Sequence, residues 1–96
     1  MIHILVKLTV KNFIALEEFE RQAVAIMIIH GGQLLSAFET RRNEDGSGEE
    51  VHVLAFPSAD AFAAYRADAA LAMLRDLREE AISHTEIQVS ERIKSY

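Results

Sequence analysis

The stretch IHILVKLTVKN, residues 2–12, changes its period at the end, and that change sets the fold. Ile2, Ile4, Val6, Leu8 and Val10 alternate with residues that include His3, Lys7 and Thr9, the period of two that marks a strand with one face in a core. Asn12 then stands where a helix begins, because its side-chain oxygen can accept from an unpaired amide of the first turn. Leu16, Phe19, Ala23 and Ile26 follow at spacings of three or four, Glu17 lies one turn from Arg21, and Gly31-Gly32 closes the helix after His30. Residues 23–29 are apolar at every position, more than a helix with one side in water requires. The second helix or a second subunit is expected over that other side.

Working outward, residues 33–42 read as a second strand, 43–49 as a turn bearing Gly, Asn and Asp, and 50–56 as a third strand. Pro57 ends it, Ser58 is a good N-cap and Asp60 favours the dipole of a helix from about Ala59 that buries Phe62 and Tyr65. A break is expected near residues 67–70. A further helical segment carries Leu71, Leu74, Leu77 and Ala81 on one stripe, and 85–93 alternates again with Ile87, Val89 and Ile93 on one side. The order βαββαβ predicts one α+β domain over residues 1–96, ferredoxin-like, with an antiparallel sheet of order 4-1-3-2 and both helices on one face.

Half of the 96 residues are hydrophobic, which is generous for so small a body. Surplus apolar surface is most simply buried against a twin, so a homodimer is expected. Fifteen acidic against ten basic residues leave a formal charge of −5, which argues against nucleic acid and anionic membranes as partners. The absence of cysteine excludes disulfides, thiolate catalysis and Cys-ligated zinc, and fits the cytoplasm. Residues 2–10 are too short to span a bilayer and lack a basic leader, so the start reads as that of a cytoplasmic protein.

Several chemistries are missing their motifs. Gly31-Gly32 ends a helix instead of opening one, Gly46-x-Gly48 lies between strands, and there is no G-x-S-x-G elbow. His3, His30, His52 and His84 have no metal-ligand spacing, and the acidic hairpin tip lacks the oxygen spacing of a calcium loop. Neither a metal nor a cofactor is expected.

With the more apolar set on each strand turned to the helices, the bare face carries Leu5, Lys7 and Thr9, then His52, Leu54 and Phe56, then Glu86, Gln88 and Ser90. One end of the sheet gathers Lys7, Lys11, Arg41, Arg42, His52, His84 and Glu86. A histidine beside a carboxylate and cations can hold an organic anion and move a proton, and the competing reading is a set of solvated rim charges. Glu17, Glu18 and Glu20 read as a solvated helix face, and Tyr65 as core packing with a wet hydroxyl.

Phe56-Pro57-Ser58, Asp60, Tyr65, Leu74 and Leu77-Arg78, together with Gly31-Gly32-x-Leu34 and Val10-x-Asn12, resemble an uncharacterised bacterial domain-of-unknown-function family (1330-type). The family falls in the dimeric α+β barrel superfamily. The resemblance implies a homodimer whose sheets face each other, a cavity between sheet and helices in each subunit, and Arg78 as a pocket or structural arginine. Relatives in the wider superfamily include cofactor-independent monooxygenases, haem-handling enzymes and isomerases, so no reaction follows. Where such relatives carry a second aromatic after Tyr65 and a Ser-Pro-Glu-Tyr turn, this chain has Arg66 and Asp68-Ala69-Ala70-Leu71, which changes the cavity wall. The resulting expectation is a small-molecule-binding dimer or cofactor-independent enzyme for a small organic, anionic or aromatic substrate. His52 or Glu86 would take a proton, Lys7 and Arg78 hold an anion, and Tyr65 line the pocket. The alternative is a non-catalytic structural or regulatory dimer.

Overall fold

A computed structural model describes every residue from Met1 to Tyr96. Strand β1 (Ile2–Val10) leads to Asn12, whose side chain accepts from the amides of Ile14 at 2.9 Å and Ala15 at 3.2 Å and so starts α1 (Phe13–Ile29). The helix stops where Gly31 takes φ 76°, a left-handed turn that costs glycine little. β2 (Gln33–Arg42) and β3 (Gly48–Phe56) form a hairpin. Ser58 caps α2 (Ala59–Arg66) by accepting from the amide of Ala61. Asp68 then caps the single turn α3 (Ala69–Ala72), so the expected break near residues 67–70 is present, before α4 (Arg75–Ala81) and β4 (Ile82–Ser90).

The sheet order is β2-β3-β1-β4 with every neighbour antiparallel, the predicted order read from the other edge. The fold is α+β and ferredoxin-like, a four-stranded antiparallel sheet with the helices packed on one face. Opposed residues of a ladder share a face, so Ile2 and Phe56, and Ile4 and Leu54, are one surface. Leu16, Phe19, Ala23 and Met27 of α1 are buried on that side, as are Phe62 and Tyr65 of α2. Gly32 lets the chain pass beneath Phe56, because a Cβ there would stand 2.5 Å from that ring.

Two expectations are corrected. β4 starts at Ile82 and ends at Ser90, earlier than the 85–93 read from alternation, because α4 passes straight into a strand whose Ile82 is buried opposite Val10. His52, Leu54 and Phe56 do not lie on the bare face. They oppose Val6, Ile4 and Ile2, so they face the helices, and Val51, Val53 and Ala55 take the other side. The bare face therefore carries Leu5, Val51, Val53 and Phe38 among Lys7, Thr9, Glu86 and Gln88. The molecule measures 37 × 37 × 17 Å, and 17 Å is room for one helix layer on one sheet, so nothing in the chain covers this face.

α3 and α4 lie against α1, yet Ile28 and Ile29 stay exposed, so the second helical region covers only part of the apolar run, and Ile14 near the start of α1 is exposed too. No helix is long and apolar enough to cross a membrane.

Candidate functional site

A cavity of about 510 Å³ opens between the helix-facing side of the sheet and the helices. Val6, Leu54, Met27, Phe62 and Leu71 make much of its wall. The polar wall begins at His52, near the middle of an inner strand and only 3 % exposed. Glu50 is two residues away along the strand, so the strand period turns both side chains to the same face. The His52 Nε2 lies 2.5 Å from the Glu50 Oε2. Nε2 is thus paired with the Glu50 carboxyl group, and Nδ1 looks across 3.9 Å to the Glu20 Oε1 on α1.

Glu20 follows Leu16 by four and precedes Ala23 by three, which sets it on the inner flank of α1 instead of with the solvated Glu17 and Glu18. Burial pushes its pKa up; His52 and Arg78 oppose the shift and Glu50 adds to it. The Tyr65 hydroxyl is pushed up to about 12, by burial first and by Glu20 next, so it remains a neutral donor at physiological pH. Arg78 Nη2 donates to Thr85 Oγ1 at 2.8 Å, Arg66 lies over the Phe62 ring at 5.6 Å, and Arg75 completes the arginines of the cavity. Elsewhere in the chain, no three His, Asp or Glu side chains converge as a metal-binding group, and the cavity has none either.

The fold brings His52, Tyr65 and Arg78 into this cavity and leaves Lys7 and Glu86 outside it. Lys7 Nζ and Glu86 Oε2 stand 4.0 Å apart on the bare face, with His84 Nε2 3.7 Å from the Glu86 Oε1. The cause is the pleat: Lys7 and Val6 point to opposite sides, and His52 shares the side of Val6. One subunit therefore does not assemble all five residues around one ligand. Glu20 and Arg75 are the cavity groups that residue-type reasoning did not place there, whereas Arg66, readable from the sequence as a ligand cation or an exposed helical arginine, does line the cavity. For Glu20 the signal was its register with Leu16 and Ala23, masked by two acidic neighbours.

Glu20 should reveal itself through stability. Its folded pKa is raised, so the native state binds the proton more tightly than the unfolded chain. The associated stability is present below the ordinary carboxylate value and is lost as pH rises through the folded one. Glu20→Gln should therefore be more stable than the wild type at neutral pH, with the gap closing in acid. Urea midpoints at both pH values check this, and a gap independent of pH would contradict it.

A family model described as "Domain of unknown function (DUF1330)" matches residues 2–93. No curated protein matches the chain. Among solved structures, a protein of unknown function from Rhodopseudomonas palustris is 16 % identical, with 98 % of this chain and 83 % of that one covered and a TM-score of 0.78. A nipsnap family protein of unknown function from Agrobacterium tumefaciens is 23 % identical over 94 % of this chain and 86 % of that one, TM-score 0.70. SnoaB, a cofactor-independent oxygenase from Streptomyces nogalater, is 16 % identical over 98 % and 94 %, TM-score 0.69. At these identities the likeness is one of fold.

Proposed function

The chain belongs to the DUF1330 family, and on that footing we propose that it is a homodimer that binds a small organic molecule in the cavity around His52 and exchanges a proton with it, unaided by a cofactor. The observation that carries this reading is a histidine 3 % exposed, set at the cavity wall between the carboxylates of Glu50 and Glu20. Burying a histidine between two half-buried carboxylates beside an empty volume is a poor way to stabilise a core, whereas a proton-transfer site requires it. His52 and Glu20 hold or release the proton, Tyr65 donates a hydrogen bond from the wall, and Arg78 holds a developing or existing negative charge. The cofactor-independent oxygenase SnoaB shows that this fold can host chemistry without a bound group, an analogy of fold and no more.

The homodimer is argued from the bare face. Leu5, Phe38, Val51 and Val53 form its apolar part, and Lys7–Glu86 with Arg41–Glu49 balance its charge, so two copies can meet there despite a chain charge of −5. Lys7 and Glu86 belong to that seam in this reading.

A metabolite library screened by thermal shift tests the function, since a ligand of the native state raises its apparent stability by RT ln(1 + [L]/Kd). Compounds that raise the wild-type melting temperature are expected to lose that effect with His52→Gln while the variant keeps its fold. Equal shifts in both proteins would remove the role of His52. No stabilising compound at all would favour a structural or regulatory dimer.

A further inference from the structure

The cavity concentrates positive charge in an acidic chain. Ten Lys and Arg stand against fifteen Asp and Glu overall, yet Arg66, Arg75 and Arg78 line one cavity whose sole acidic lining residue is Glu20. Pairing sharpens the contrast. Arg21, Arg41 and Arg42 on the outside each have a glutamate at 2.5–3.2 Å, and Arg75 reaches Glu79 at 3.2 Å. Arg78 has only the neutral Thr85 hydroxyl, and Arg66 only the face of Phe62, with no carboxylate within 4.0 Å of either. A guanidinium offers a planar fork of donors that fits a carboxylate. The rings of Phe19, Phe62 and Tyr65 line the same cavity, whose volume is within the usual range for organic ligands.

Resting on the cavity reading above, we infer that the ligand is an organic monocarboxylate with a flat, apolar body, its carboxylate on Arg78 and its body against Phe62 and Tyr65. Arg66 and Arg75 draw it to the mouth. Glu20, the one acidic lining group and near enough to Arg78 to feel its charge, repels a second carboxylate on the ligand, and this disfavours dicarboxylates.

The test is a calorimetric titration of the wild-type protein with benzoate, 2-naphthoate and 9-anthroate, each beside its primary amide, and with inorganic phosphate. At least one acid is expected to bind about tenfold or more tightly than its amide, as charge-assisted pairing to arginine implies. Arg78→Gln should bring that ratio near one while leaving amide binding in place. Arg21→Gln, which removes the same charge from the outside of α1, should leave the ratio unchanged. Equal binding of acids and amides, lost for both in His52→Gln, would overturn the anionic class and leave the cavity reading standing. Phosphate as tight as the acids would overturn the apolar body, and no binding by any acid or amide would overturn both.

Discussion

Replacing Phe56 by alanine is expected to remove about 3–5 kcal/mol of stability, a large share of the roughly 5–15 kcal/mol that holds a domain of this kind together. The side chain is 0 % exposed. It meets Phe62 at a ring separation of 5.1 Å and Tyr65 at 5.5 Å, tilted in both cases, and a part of the loss comes from those two aromatic contacts. Gly32 lies so near the ring that the backbone was shaped around it, and a ring-sized void beside it cannot readily collapse. Because Tyr65 also lines the cavity, the same substitution should loosen the ligand wall. Urea unfolding at fixed protein concentration measures the loss. Phe56→Leu, which keeps most of the apolar volume, should lose distinctly less, and equal losses would contradict the packing account.

Placing a carboxylate at Val53 is expected to dissociate the proposed dimer without unfolding the chain. Val53 sits on an inner strand, opposite Leu5 and Ser36, on the face that no helix covers. In a two-fold pair the substitution enters twice, and each unpaired carboxylate trapped between apolar sheets costs several kcal/mol. At about 1.4 kcal/mol for each factor of ten, the dissociation constant should rise by more than about a hundredfold. Sedimentation equilibrium of Val53→Asp should give the 10.8 kDa mass of one chain, and the wild type is expected to give twice that. A variant that stays dimeric would place the interface elsewhere, with exposed Ile14, Ile28 and Ile29 of α1 the next apolar surface to examine.

The parts of this molecule that were legible in its sequence are those decided locally. The alternation of β1, the Asn12 and Ser58 caps and the break before Asp68 each depend on residues a few positions apart, and each is present. The face of β3 was not legible, because residues 51, 53 and 55 are as apolar as 54 and 56, and only pairing with β1 chooses between the two sets. That choice moves His52 from the bare face to the cavity and parts it from Lys7 and Glu86. Glu20 was hidden differently: one helical turn carries three glutamates, and only their angles around α1 separate the buried one from the solvated pair. Arg78 entered through its Leu-Arg motif. Arg66 could be read as a ligand cation or as an exposed helical arginine, Arg75 carried no signal at all, and only the fold of α2, α3 and α4 brings both to one opening.

If the ligand is held between sheet and helices, the site should show itself in backbone and histidine-ring NMR shifts followed as the best-binding compound of the library is added. The largest changes are then expected at Glu20, His52, Tyr65 and Arg78. Changes centred on Lys7, His84 and Glu86 would instead put the ligand on the opposite face of the sheet and refute the cavity as its site.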